Sequence, residues 1–353
     1  MLKPRKELKE LIPYIAGKFK EGCIKLASNE NPLGPSPKAQ QSIIKGSVAM
    51  QLYPDGNCTK LKQKLAVYYG LKPENFIIGN GSDEILLFIA GAFLTAKDKV
   101  LISKTTFSEY EFSARLFGAK PIFIPLKNNK YDLEGFRKAL SKKPKVVYLC
   151  NPNNPTGTIF KENELKVFLK AVPKSCLVVI DEAYNEYVQD RQYPDSVKLA
   201  ETYSNIIILR TFSKIFGLAG LRIGYGIASK DLINVLNKTR EPFNVNRLAQ
   251  QAALAALDDE TFLIKSIDNN LEGKKYLYQQ FAKLGLPFTK TEANFIYVDL
   301  PLPAKDIFQR MLNESIIIRP LDSFSKPFAM RVTIGTPWQN KRLVDALKKS
   351  LRR

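Results

Sequence analysis

The sequence predicts an α/β fold, a mostly parallel sheet sandwiched by helices, with a smaller α+β domain after it. Three observations carry this. The strand candidates between Phe76 and Ile227 are continuous apolar runs, as strands covered on both faces require. They are interleaved with segments of helical period, the pattern of a layered α/β sheet. After Ala228 the pattern turns helix-rich and then mixes short strands with helices.

Residues 1–39 are proline-rich and irregular and end in Ser28-Asn29-Glu30-Asn31-Pro32-Leu33-Gly34-Pro35. They read as an arm and a turn-rich segment, not a packed unit. A helix is expected at 37–46, a turn at Tyr53-Pro54-Asp55-Gly56, and a helix at 59–69. A strand at 76–78 runs into Gly79-Asn80-Gly81-Ser82-Asp83-Glu84, which opens an apolar helix through Leu94. Further strands are expected at 99–103, 121–125, 146–150, 177–180, 206–209 and 223–227, with helices at 108–117, 133–140 and 162–171. An amphipathic run at 259–284 follows. The last unit has strands at 295–298, 316–319 and 330–334 and helices at 305–312 and 339–351. The expected division is an arm at 1–29, a large domain at 30–258 and a small domain at 259–353.

Composition narrows the function. The chain of 353 residues is 45% hydrophobic and 25% charged, an ordinary globular composition. Its longest apolar run, Ile85 to Leu94, is too short to span a bilayer. The charged N-terminus lacks the apolar core of a signal peptide, so a cytoplasmic protein without membrane attachment is expected. The four cysteines are scattered without a C-x-x-C pair and read as reduced, buried thiols. There is no histidine, which excludes Ser-His-Asp and Cys-His catalysis and histidine-metal motifs; no metal is expected. The net charge of +20 raises a basic nucleic-acid-binding module as an alternative. The lysines are spread along the chain without such a motif, so no nucleic-acid partner is expected; a field attracting anionic substrates accounts for them.

Chemistry concentrates in a few stretches. Lys214 follows the buried run Ile206-Ile207-Ile208-Leu209, with Thr211 and Ser213 beside it. Desolvation there would lower its pKa and free the amine to form a Schiff base. Arg222 is a fixed cation suited to a phosphate. The turn from Gly79 to Glu84 offers free backbone N–H groups at a helix start, an anion site. Two further stretches sit at strand ends, where α/β folds place ligands: Asn151-Pro152-Asn153-Asn154-Pro155-Thr156-Gly157 and Asp181-Glu182-Ala183-Tyr184. Taken alone, each reads as a surface lysine, an ordinary turn or a helix cap. One aldehyde cofactor, pyridoxal phosphate, would use them all: a lysine for the Schiff base, a carboxylate for the ring nitrogen and a cup for the phosphate.

The order of these motifs resembles the fold-type I aminotransferases, the histidinol-phosphate aminotransferase family within them. The likeness runs nearly end to end and includes Arg240-Glu241-Pro242-Phe243-Asn244-Val245-Asn246 and Arg331-Val332-Thr333-Ile334-Gly335-Thr336. The resemblance implies that Lys214 carries the Schiff base and moves the proton, and that Asp181 holds the protonated ring nitrogen. Tyr184 and Asn154 would bond the phenolic oxygen. Backbone N–H groups of Ser82 and Asp83, with Thr211, Ser213 and Arg222, would cradle the phosphate. Phe107 or Tyr110 would lie over the ring. Tyr53 would reach the phosphate in a neighbouring subunit, implying a homodimer with shared sites. Arg319 and Arg331 would meet the substrate's anionic group, and Tyr14 and Asn29 would close over it. The chain departs from the family pattern at Thr105 and Trp338. The implied reaction exchanges an amino group between histidinol phosphate and 2-oxoglutarate, yielding imidazole acetol phosphate and glutamate in histidine biosynthesis. Aromatic amino-acid transamination and threonine-phosphate decarboxylation are the neighbouring alternatives.

Overall fold

The computed structural model describes residues 2–11 and 21–352. A short strand, β1 (Ile24–Lys25), precedes seven strands of one large sheet. These are β2 (Phe76–Gly79), β3 (Lys99–Ser103), β4 (Lys120–Ile124), β5 (Val146–Cys150), β6 (Leu177–Asp181), β7 (Ile206–Thr211) and β8 (Gly224–Ala228). The spatial order is β2-β8-β7-β6-β5-β3-β4. Only β8 runs against its neighbours, antiparallel to both β2 and β7. The connection from β7 to β8 holds just the 3-10 turn Ala219–Leu221, so the chain turns straight back instead of crossing the sheet on a helix. β5, β6 and β7 are buried along their whole length, which explains their unbroken apolar sequences.

The C-terminal unit is built on a four-stranded sheet from β9 (Phe288–Thr289), β10 (Phe295–Asp299), β12 (Arg319–Leu321) and β13 (Lys326–Thr333). Between them, β11 (Ile316–Ile317) pairs in parallel with β1. The expected single strand at 316–319 is therefore two. The expected helices form close to their predicted bounds. Ser36 caps the first, accepting from the Ala39 N–H with Pro37 in the first turn. Thr336 and Gln339 make a reciprocal capping box on the last. Within the described residues, no helix is long and apolar enough to cross a membrane.

Among the described residues the two large apolar cores lie on the large sheet and in the C-terminal unit. The helix Glu260–Lys283 serves both: Leu263 and Ile267 pack on the first, Leu277 and Phe281 in the second. The N-terminal segment differs from its expected looseness. Leu26 is buried in the second core, its N–H donates to the Ile317 carbonyl at 2.8 Å, and Asn29 and Asn31 are buried too. Pairing β1 with β11 satisfies its backbone, and bonds from Ala27 and Asn29 to Arg331 and Thr333 extend the tie to the C-terminal unit.

Candidate active site

A cleft of about 330 Å³ opens where β5, β6 and β7 end, between the large sheet and the C-terminal unit. The sheet register aligns those ends: Cys150 pairs with Asp181, and Asp181 with Leu209. Chain reversal beyond each strand brings Asn154, Tyr184 and Lys214 into the lining of the cleft. Gly81 and Gly224 lie beside Arg222 and Ser82 of the lining and make its glycine-bounded end.

The Lys214 amine donates to the Ser28 carbonyl at 3.4 Å and lies 5.7 Å from the Tyr184 ring centroid. Burial, then the nearby Arg331 charge, lowers its pKa to about 8. Asp181 is buried at the base of the cleft, and desolvation pushes its carboxyl up to about 6. Two donors oppose that rise: the Tyr110 hydroxyl to Oδ2 at 2.6 Å and the Ala183 N–H to Oδ1 at 3.1 Å. No basic side chain is hydrogen-bonded to this carboxylate among the described residues. A cationic ring nitrogen would complete it.

At the glycine-bounded end, Arg222 donates to Asp83 Oδ2 at 3.0 Å, to Ser213 Oγ at 3.4 Å and to the Ala219 carbonyl at 3.1 Å. The helix Gly81–Phe93 begins here, with Ser82 and Asp83 in its first turn. A Cβ on Gly224 would lie 2.6 Å from the Ser82 nitrogen, and one on Gly81 2.5 Å from Arg222 Nη2. The close approach of backbone and guanidinium thus requires both glycines. Burial raises the Asp83 pKa against the pull of Arg222.

At the far end, Arg331 is buried and bonded to Asn154 Oδ1 and, at 2.6 Å, to the Ala27 carbonyl. Its guanidinium lies 5.4 Å from the Phe295 ring centroid, and its Nε has no partner. Burial lowers its pKa to about 10, with the Arg319 charge adding to the effect. Arg319 faces it across the β12–β13 pair and also lines the cleft.

Most residues expected from the sequence come together here: Asn29, Ser82, Asp83, Phe107, Asn154, Asp181, Tyr184, Thr211, Ser213, Lys214, Arg222, Arg319 and Arg331 all line the cleft. Of the two aromatic candidates for the ring position, Phe107 lines it. Tyr110 is fully buried below, where its hydroxyl is spent on Asp181. Tyr53 is 80% exposed, stacked on Phe243 away from the cleft. Tyr14 lies outside the described residues.

A buried pair was missed from the sequence. Glu182, fully buried, accepts from Arg210 Nη2 at 2.6 Å and Nε at 3.1 Å, and Arg210 also bonds the Tyr69 hydroxyl. The signal was present: a charged residue extending a buried apolar strand needs a partner.

The donor set fits pyridoxal phosphate. A desolvated carboxylate without a basic partner suits the ring nitrogen, a lysine of lowered pKa suits the aldehyde, and the cup bounded by Gly81, Gly224 and Arg222 suits the phosphate. Fold and site together define an aminotransferase. The family model for aminotransferase class I and II matches residues 21–347, and the chain belongs to that family. Within it, the chain is 48% identical over 359 residues to the histidinol-phosphate aminotransferase of Moorella thermoacetica, covering 99% of this chain and 93% of the relative. Identity to the histidinol-phosphate aminotransferase of Caldicellulosiruptor saccharolyticus is 45%, over 98% of this chain and 99% of the relative. Among solved structures, the histidinol-phosphate aminotransferase from Sinorhizobium meliloti in complex with pyridoxal-5'-phosphate superposes with a TM-score of 0.92 at 27% identity, covering 100% of this chain and 98% of that one.

Proposed function

We infer that this chain is a pyridoxal-phosphate-dependent aminotransferase that exchanges an amino group between histidinol phosphate and 2-oxoglutarate in histidine biosynthesis. The observation that carries the reading is a single cleft holding a lysine of lowered pKa, a buried carboxylate and three arginines. The full-length likeness to histidinol-phosphate aminotransferases supports the choice of substrate.

When bound, pyridoxal phosphate supplies an aldehyde that takes up the substrate's amino group and a ring that withdraws electrons from its Cα. The residues of the chain do the rest. Lys214 can release a neutral amine near neutral pH, first to hold the cofactor and then to take and return the proton at the substrate Cα. Asp181 holds a positive charge at the ring nitrogen, its oxygens oriented by Tyr110 and the Ala183 N–H. Tyr184 and Asn154 would bond the phenolic oxygen, and Phe107 would cover the ring. Ser82, Asp83, Thr211, Ser213 and Arg222 bind the phosphate through N–H, hydroxyl and guanidinium donors. Arg331 keeps Nε and further N–H groups for an anion; with Arg319 it accepts the carboxylate of glutamate or the anionic group of histidinol phosphate.

The reading includes a cytoplasmic homodimer. Ile44, Val48, Met50, Leu52, Tyr53 and Val67 are exposed on or near the helices Pro37–Gly46 and Thr59–Tyr69. That exposed apolar set supports a second copy as its cover and Tyr53 as the residue that reaches the neighbour's phosphate. Spectral titration of the purified holoenzyme tests the whole reading. Histidinol phosphate should convert the cofactor's aldehyde-form band to the amine form, and 2-oxoglutarate should restore it. Equal conversion by phenylalanine at similar concentration would defeat the narrow substrate assignment. Multiple-turnover activity in Lys214→Ala would defeat the mechanism.

A further inference from the structure

Asn29 has more to do than line the cleft. It adopts a left-handed backbone with φ of 57°, a conformation asparagine tolerates better than most residues. Its backbone is pinned to the C-terminal unit: the N–H donates to Thr333 Oγ1 at 2.9 Å, and the carbonyl accepts from Asn294 Nδ2 at 2.9 Å. Its side chain reaches the large sheet, where Nδ2 donates to the Tyr184 hydroxyl oxygen at 2.9 Å. The Thr333 hydroxyl, already an acceptor, places its only hydrogen on Asn29 Oδ1 at 3.3 Å. That bond fixes which end of the amide faces Tyr184.

The consequence is directional. A tyrosine hydroxyl has one hydrogen, and with Asn29 donating to its oxygen that hydrogen must point elsewhere. Among the described residues no acceptor is hydrogen-bonded to it, and Tyr184 lines the cleft. The titratable and charged groups around Tyr184 are Arg331, Lys214, Asp181 and Cys150, none of which is hydrogen-bonded to its hydroxyl.

We propose that Asn29 is a positioning residue for the transamination: donating to Tyr184, it aims the tyrosine hydrogen at the cofactor's phenolic oxygen and ties that aim to the C-terminal unit. The inference rests on the reading of Tyr184 as a donor to that oxygen. Asn29 touches neither cofactor nor substrate in this role and acts through Tyr184.

The test is a pH titration of the absorbance of the bound cofactor in the holoenzyme, read for four proteins: wild type, Asn29→Gly, Tyr184→Phe and the double variant. Glycine keeps the positive φ and both backbone bonds and deletes only the amide. A hydrogen bond to the phenolic oxygen favours its ionised form, so losing it raises the titration midpoint. Tyr184→Phe should raise it by about one pH unit, the worth of one bond to a charged group. Asn29→Gly should raise it by a smaller amount, and the double variant should match Tyr184→Phe alone. The proposal is overturned if Asn29→Gly leaves the midpoint in place, or shifts it equally with Tyr184 already replaced. An unmoved midpoint in Tyr184→Phe overturns the reading of Tyr184 and the proposal with it. Should Asn29→Gly fail to fold, Thr333→Val frees the amide to turn over and must show the same dependence on Tyr184.

Discussion

Asp181 is a desolvated carboxylate to which no basic side chain is hydrogen-bonded among the described residues, and replacing it should stabilise the cofactor-free protein. Burial lifts its pKa from 3.8 to about 6. A rise of roughly 2 units corresponds to about 3 kcal/mol lost from the stability of the ionised, folded chain. Asparagine removes the charge but offers one acceptor oxygen where the carboxylate has two. Either the Tyr110 hydroxyl or the Ala183 N–H then loses its partner, at about 1 kcal/mol. Asp181→Asn should therefore be more stable than wild type by about 2 kcal/mol at pH 7.5, without cofactor. The sign follows from the raised folded-state pKa. The folded chain binds the proton more tightly, so the burden of the charge is absent below pH 3.8 and complete above about pH 6. Urea unfolding of both proteins at one concentration across that range measures it. Glu186, raised to about 7 by its own burial, tilts both curves alike, so their difference reports Asp181. Saturating pyridoxal phosphate should reverse the order, because only the carboxylate meets the ring nitrogen with a charge. A variant less stable than wild type at pH 7.5, or a difference that does not change with pH, would refute the reasoning.

Two further substitutions probe the frame of the site. Arg210→Met strands Glu182 in the interior and should lower stability by roughly 3–5 kcal/mol in urea unfolding, most of it regained when Glu182→Leu is added; a double variant as unstable as the single one would show that the pair's charge is not the cause. Gly224→Ala sets a methyl 2.6 Å from the Ser82 nitrogen and 2.8 Å from the Gly81 carbonyl carbon, both backbone atoms that must shift. Absorbance titration with pyridoxal phosphate should show about tenfold weaker binding, equivalent to one lost contact of about 1.4 kcal/mol. Unchanged affinity would count against this end of the cleft as the phosphate cup.

Where the sequence was legible, a one-dimensional signal had a local physical cause. Ile206-Ile207-Ile208-Leu209 could be read as a strand covered on both faces, because burial on both faces removes polar positions. Lys214 and Asp181 stood out because ionisable groups at the ends of such strands need partners. The antiparallel course of β8 was not read, although its signal was there: the connection at 212–223 has no helical repeat with which to cross the sheet. Arg210 was hidden for a related reason. The expected strand stopped at Leu209, so the arginine fell in a turn, whereas β7 runs to Thr211 and carries it inside.

Asn29 marks the limit of such reading. Nothing local distinguishes it from Asn31 or from a turn asparagine in a proline-rich arm. Its role depends on β1 pairing with β11, 292 positions away by the Ile24–Ile316 register, and on Thr333 and Asn294 arriving from two further strands' ends. Those contacts put one amide between the C-terminal unit and Tyr184. The chemistry-bearing groups of the large sheet are set by strand ends and can be found from sequence, while the contact of Asn29 with Tyr184 exists only once both units have folded. In its last residues the arm is bonded to both units, to Thr333 and Asn294 on one side and to Tyr184 on the other.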